Sequence, residues 1–360
     1  METKGLLFIP DISGFTRFVN ETEIDHSRMI IQELLEVLIN SNQLDLEVSE
    51  IEGDAILFYR FGESPDIEAL YRQVQKMFCD FHRRLSLYEI RRYCQCNACL
   101  SAVNLSLKII THYGEFTGYN VRNFNKLIGK DIIVAHQLLK NDIEQHEYWL
   151  VTRNLLHDDQ PVYLANWMKW NRSVKKTDTG EIEFHYTQLS QLKNDLPDEE
   201  PARLDISDKV KVASASMEYD CHMIPLFHAS GNFNYRNRWQ DGVVKVEEDT
   251  HHLPRVGMRC RVLMDTGEVN IYSASFSYNP NKIQFSETDD RHTNTTVYTL
   301  ERLSNKHSRL TIDFYLKKNS IRQLLFRFRE EAKFHHKLRH SMHNLEHVVK
   351  EIRIPREYLQ

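Results

Sequence analysis

Residues 8–16 read Phe8-Ile9-Pro10-Asp11-Ile12-Ser13-Gly14-Phe15-Thr16, and residues 50–55 read Glu50-Ile51-Glu52-Gly53-Asp54-Ala55. In the first stretch an apolar run from Gly5 to Pro10 stops at an aspartate and a glycine-containing turn, which is how a strand ends ahead of a helix. Ile24, Ile31, Leu34, Leu35 and Leu38 then recur at helical spacing. In the second stretch Gly53 and Asp54 separate two extended runs, Leu44 to Ile51 and Ala55 to Tyr59, which predicts a tight hairpin. Working outward, Ile67 to Leu87 reads as a helix, Lys108 to Phe116 as a β-branched strand, Ile128 to Leu139 as a short helix and Tyr148 to Thr152 as a strand. This order predicts an α+β sandwich.

The chemistry of these two stretches lies in their aspartates. Asp11 at a strand end and Asp54 in a hairpin are hard oxygen ligands of the kind Mg²⁺ or Mn²⁺ takes from protein, with phosphates and water completing the shell. The turn Ser13-Gly14-Phe15-Thr16 leads into a helix and offers free backbone N–H groups to a polyphosphate. The plainer alternative makes Asp11 a helix cap and Asp54 an ordinary hairpin residue, since aspartate is common in both places.

The chain has 360 residues, and about 100–200 residues per domain is usual, so two domains are expected. With 41% hydrophobic and 27% charged residues the composition is that of a globular protein. A net charge of −5 speaks against a nucleic-acid partner, which needs a concentrated basic face. The run Leu6 to Pro10 is too short for a signal-peptide core, and no apolar stretch of about 20 residues occurs, so a cytoplasmic protein without a membrane span is expected.

A charged segment with two prolines follows Leu192 and is read as a linker over residues 193–210, between domains at 1–192 and 211–355. Beyond it Tyr272, Ala274, Phe276 and Tyr278 alternate with polar residues, as do Leu310, Ile312, Phe314 and Leu316. Both runs predict half-buried strands. A long helix from about Ser320 to Arg353 is expected to close the chain, with Ile321, Leu325, Phe328, Ala332, Leu338, Met342, Leu345 and Val349 as its apolar stripe.

Taken together, Phe8 to Thr16 and Glu50 to Ala55 resemble the opening strand and hairpin of class III adenylate and guanylate cyclase catalytic domains. Lys108-Ile109-Ile110-Thr111-His112-Tyr113-Gly114-Glu115 resembles the strand that follows in that family. Leu127-Ile128-Gly129-Lys130-Asp131-Ile132-Ile133-Val134-Ala135 resembles its later strand-to-helix motif. The resemblance implies a ferredoxin-like fold, a pair of metal aspartates in Asp11 and Asp54 with the Ile12 carbonyl as a further ligand, and a triphosphate held by Gly14, Phe15, Thr16 and Lys108. Glu50 stands at the purine-selecting position, where an acidic side chain accepts from guanine N1 and N2 and so favours GTP.

Three positions depart from the family pattern. Ile133 and Gln137 replace the Asn and Arg that orient the ribose and stabilise the transferring phosphorus, and Lys126 takes the second purine-selecting position. An oxyanion-stabilising donor is worth about 10²–10³ in rate. The expectation is therefore a metal-nucleotide-binding signalling protein that is degenerate as a cyclase. The alternative is an active cyclase, either a homodimer or the metal-bearing half of a heterodimer.

Two clusters and the second half add further expectations. Cys94, Cys96 and Cys99, with Cys79 or His112 as a fourth ligand, are candidate Zn²⁺ ligands; the alternative is reduced, packed cysteines. His336, His340, His343 and His347 form one stripe on the terminal helix, read as solvated or facing a partner. Tyr235-Arg236-Asn237-Arg238-Trp239-Gln240-Asp241-Gly242-Val243, then Val256-Gly257, then the closing helix resemble the START-like, polyketide-cyclase-like (SRPBCC) superfamily. That resemblance implies a helix-grip sheet around the helix, enclosing a pocket for a hydrophobic small molecule; the alternative is a filled core.

Overall fold

The computed structural model describes residues 4–352 apart from 23, 92–96, 123, 157–163, 178–179, 198–202, 249–255, 320–322, 324–325 and 327. It divides into two compact units, Met1–Glu89 with Leu100–Glu199, and Ile90–Cys99 with Glu200–Gln360. Both mix helix with a large sheet, so the architecture is α+β.

The first unit runs β1 (Lys4–Ser13), α1 (Phe15–Glu21), α2 (Ile24–Asn40), β2 (Glu47–Glu52), β3 (Ala55–Phe61) and α3 (Ile67–Arg91). After α4 (Asn97–Ser101), most of which falls to the second unit, it continues through β4 (Ser106–Glu115), β5 (Thr117–Val121), β6 (Phe124–Ile128), α5 (Lys130–Leu139), β7 (Tyr148–Thr152), β8 (Trp170–Thr177) and β9 (Gly180–Gln188). The sheet order is β2-β3-β1-β4-β7-β9-β8, while β5 and β6 pair apart as a ribbon. Its first four strands, with α2 and α3 as crossovers, follow the split βαβ arrangement.

β1 is buried from Gly5 onward because both sheet faces are covered, and its sequence is accordingly an unbroken apolar run. Leu7 and Ile9 pack with Ile132, Ala135 and Leu138 of α5. On α3, Tyr71 stacks on Trp149 of β7 at 6.2 Å, while Arg84 and Tyr88 both bond Glu33 of α2. Residues 193–195, expected in the linker, finish the 3₁₀ turn Ser190–Asp195, which Lys193 fastens to Glu147 at 2.7 Å.

The second unit runs β10 (Lys209–Tyr219), α6 (Met223–Gly231), α7 (Arg236–Trp239), β11 (Val243–Glu248), β12 (Arg259–Met264), β13 (Gly267–Asn279), β14 (Lys282–Asp289), β15 (Asn294–Arg302), β16 (Ser308–Lys317) and α8 (Glu331–Glu351). All neighbours are antiparallel in the order β10-β16-β15-β14-β13-β12-β11. Met342, Leu345, Val348 and Val349 of α8 enter one core with Tyr219, Phe227, Phe285 and Ile312. The Tyr219 hydroxyl donates to the Met342 carbonyl at 2.8 Å.

Two expectations for this half are corrected. A β-bulge between Ser273 and Ser275 breaks the alternation: ahead of it Ser273 is buried, beyond it Phe276 packs against the core as expected, and Tyr278 is 45% exposed. Helix α8 runs from Glu331, and Gln323, Phe326, Phe328 and Arg329 are already helical ahead of a turn at Glu330; Phe328, expected on the apolar stripe, is 81% exposed, and Phe326 is buried in its stead. Ile321 and Leu325 lie outside the described residues.

Candidate functional site

Strand pairing brings Asp11 and Asp54 together. Asp11 pairs with Ala55 of β3 on one side and with Lys108 of β4 on the other, and the Ile12 N–H donates to the Asp54 carbonyl at 3.0 Å. Asp11 shares its sheet face with Leu7 and Ile9, the face that α5 covers. Gly14 then turns the chain into α1 with φ of 89°, a left-handed geometry open to glycine at little cost. The hairpin glycine, Gly53, is also left-handed at φ 62°, and a β-carbon there would meet the Phe15 ring at 3.6 Å. Phe15 is thus placed over the hairpin, while Thr16 is exposed.

Burial dominates the electrostatics. It pushes the Asp11 carboxyl up to about 6; the Lys108 ammonium opposes that shift and the Asp54 charge adds to it. Burial likewise raises Asp54, against hydrogen bonding to its own backbone and the pull of Lys108. Lys108 Nζ lies 3.4 Å from Asp11 Oδ1 and donates to the Leu139 carbonyl at 3.2 Å, at the end of α5. Lys108, expected to meet phosphate, is turned inward to a carboxylate and a helix C-terminus.

Two carboxylates against one ammonium leave a negative balance, and that suits a divalent cation completed by phosphate oxygens. Among the described residues no group of three or more His, Cys, Asp or Glu is placed to hold a metal ion, so protein ligands alone do not build a closed site. Asp11, Asp54 and the Ile12 carbonyl would hold the metal, with the remaining ligands coming from outside the protein.

At Glu50 and Lys126, expected at the purine-selecting positions, the structure shows a pairing that the sequence reading missed. Lys126 of β6 donates to the Glu50 carboxylate, and His136 of α5 stands 3.8 Å from the same group and 4.0 Å from Glu52. Glu50 is therefore engaged by a cation of its own chain. The opposite charges at residues 50 and 126 were the available signal. Ile133 is 56% exposed, and the Gln137 Oε1 is buried without a hydrogen-bond partner among the described residues.

Of the candidate zinc ligands, Cys94 and Cys96 lie outside the described residues, and Cys99 is buried on α4. His112 is already bound, Nδ1 to the Thr152 hydroxyl at 2.8 Å and Nε2 to Asp131 at 2.9 Å. His336, His340, His343 and His347 are all exposed on α8. In the second unit Arg236 is 1% exposed and binds Glu287 with two nitrogens, and it also donates to the Tyr298 hydroxyl at 2.9 Å.

Residues 31–148 match the family described as protein of unknown function (DUF2652). A curated relative, uncharacterized protein Rv2561/Rv2562 of Mycobacterium tuberculosis, is 31% identical over 120 residues, covering 33% of this chain and 56% of the relative. The chain thus spans about half the length of the curated relative it matches. Solved structures similar to it include the guanylate cyclase domain of RhGC from Catenaria anguillulae in complex with GTP, at 13% identity and a TM-score of 0.37, covering 52% of this chain and 97% of that one. The adenylyl cyclase CyaB from P. aeruginosa is 11% identical with a TM-score of 0.34, over 51% of this chain and 93% of that one. A bacterial light-regulated adenylyl cyclase is 14% identical with a TM-score of 0.39, over 53% of this chain and 56% of that one. Among the described residues no helix is long and apolar enough to cross a membrane.

Proposed function

We propose that the first unit is a cyclase-like domain that binds a metal–nucleotide complex and is degenerate as a cyclase, and that the second is a helix-grip, SRPBCC-like domain for a hydrophobic small molecule. The observation that carries the first half is the convergence of Asp11 and Asp54 on neighbouring strand ends beside the left-handed Gly14 turn. Mg²⁺ or Mn²⁺ bound there would supply charge neutralisation for a polyphosphate. Asp11 and Asp54 would hold the metal, and the turn through Phe15 and Thr16 would take the phosphates.

Loss of turnover is supported by what stands where the ribose- and phosphorus-orienting groups are expected. Ile133 has no hydrogen-bonding side chain, and Gln137 carries no charge to set against a developing oxyanion. Exposed apolar side chains surround the Glu50–Lys126 pair, among them Ile51, Tyr119, Val121, Ile128 and Ile133, which supports dimerisation over this face. For the second unit, the strand order and a cavity of about 260 Å³ between sheet and helix support a ligand site.

Calorimetry of the full chain with Mn²⁺ and a non-hydrolysable GTP analogue tests the first half. Metal-dependent binding that Asp54→Ala abolishes is expected; binding indifferent to metal and to that substitution would sink the reading. Assay with GTP and ATP plus Mn²⁺ addresses the alternative, an active cyclase working as a homodimer or as the metal-bearing half of a heterodimer. Cyclic product from the purified chain would replace the degenerate reading.

A further inference from the structure

The cavity of the second unit lies between the strands β12 to β16, α7 and α8. Met264, Val269, Ile271, Ile312, Phe314 and Leu338 give it apolar walls. Its charged wall residues all have partners within the protein. Glu287 accepts from Arg236 twice and from the Tyr298 hydroxyl at 3.2 Å. Asp289 accepts from the backbone N–H groups of Thr293 and Asn294. Lys337 donates to Asp265 at 3.2 Å, and Asp241 faces His340 at 3.7 Å. A charged ligand entering here would be desolvated without a free counter-charge, which is costly.

Among the fully buried side-chain polar atoms of the described wall residues, one has no partner. Trp239 is 2% exposed, and its indole Nε1–H finds no acceptor among the described residues. Buried N–H groups are rarely orphaned, because each forfeits its bond to water. Arg236 sits over the Trp239 ring at 5.2 Å and over Phe233 and Tyr298 at 5.0 and 5.5 Å. The indole is therefore held in place before any ligand arrives. Size sets the remaining bound: an apolar cavity of about 150 Å³ takes benzene, and this one measures about 260 Å³.

We propose that this cavity binds a small, uncharged, mainly apolar molecule of one or two rings, anchored through a single hydrogen-bond acceptor on Trp239 Nε1. The proposal rests on the ligand-binding reading of the second unit and specifies its ligand chemistry. The acceptor satisfies the indole N–H, the apolar body displaces weakly held water, and the paired charges of the rim stay as they are.

The full chain is titrated by calorimetry with 2-acetonaphthone and with 2-ethylnaphthalene, nearly the same shape without the acceptor. Both are expected to bind, the ketone about fivefold tighter, the worth of one net hydrogen bond. Trp239→Phe should erase that difference and keep hydrocarbon binding, while Ile271→Phe, which fills the cavity, should weaken both. Should Trp239→Phe fail to fold, the indole N–H resonance of Trp239 in the unaltered chain still decides. It moves downfield with the ketone and not with the hydrocarbon if the anchor is real. Equal affinities and an unmoved resonance overturn the anchor and leave the ligand reading standing. Binding that survives Ile271→Phe unchanged puts the site elsewhere and overturns the proposal. No binding of either compound overturns the proposal and the ligand reading together.

Discussion

Lys108 Nζ lies 3.4 Å from Asp11 Oδ1 across the β1–β4 pair and reaches the Leu139 carbonyl at 3.2 Å, so one ammonium ties a buried carboxylate to the end of a helix. The same ammonium competes with any cation that Asp11 and Asp54 would bind. Lys108→Gln should strengthen Mn²⁺ binding at pH 8, where Asp11 is ionised, by roughly tenfold, the scale of one near-surface charge–charge repulsion. Manganese-detected electron paramagnetic resonance measures this, and an unchanged affinity would show that the cation does not sit at Asp11.

Asp11 carries a pH signature of known sign. Its carboxyl is raised from 3.8 to about 6, so the folded state holds the proton more tightly than the unfolded chain. The stabilisation is complete below about pH 4 and is lost as pH rises through 6. Asp11→Asn should therefore raise stability at pH 7–8, by up to about 3 kcal/mol, and flatten the profile between pH 4 and 6. Urea melts at both ends of that range give the answer. Asp54→Asn should lower the Asp11 pKa, since the Asp54 charge helps to raise it.

The Glu50–Lys126 pair predicts a change in nucleotide preference. On the proposed reading, Lys126→Ala frees the Glu50 carboxylate to accept from guanine, and affinity for a GTP analogue should rise severalfold relative to its ATP counterpart. Competition binding in parallel for the two nucleotides would reveal it. Equal changes for both would place the base away from Glu50.

Gly114 predicts a packing limit. A β-carbon there would fall 2.2 Å from the Asp131 side chain, which receives the Glu115 N–H at 2.6 Å and His112 at 2.9 Å. His112 also holds the Asp131 carboxyl below the usual carboxylate range. Gly114→Ala should cost about 1–3 kcal/mol through overpacking and the loosened start of α5. A thermal melt with no shift would mean that α5 adjusts freely.

Arg236 and Glu287 predict a larger loss. Both are nearly inaccessible, and Glu287→Gln would leave the guanidinium buried without its counter-charge. A cost of about 3–5 kcal/mol is expected. Denaturant unfolding of the second unit within the full chain reads it, and a cost under 1 kcal/mol would refute the pairing.

The sequence by itself determined the elements whose pattern is local. The apolar run into Asp11, the Gly53-Asp54 hairpin and the strand Tyr148–Thr152 follow from side-chain periodicity and turn chemistry, which act between neighbours in the chain. The bulge at Ser273–Ser275 was hidden, because register depends on the facing strand β14. The exposure of Phe328 was hidden too, since the covered face of a helix depends on what packs against it, and here Phe326 meets Phe314 and Phe334. At the site, residue types pointed to Asp11 and Asp54. Only the tertiary structure decided their electrostatics, because Lys108 reaches Asp11 from a strand about a hundred residues away and burial sets how tightly each proton is held. The Glu50–Lys126 pair and the unpartnered Trp239 N–H belong to the same class, since ion pairing and orphaned donors are properties of positions in space.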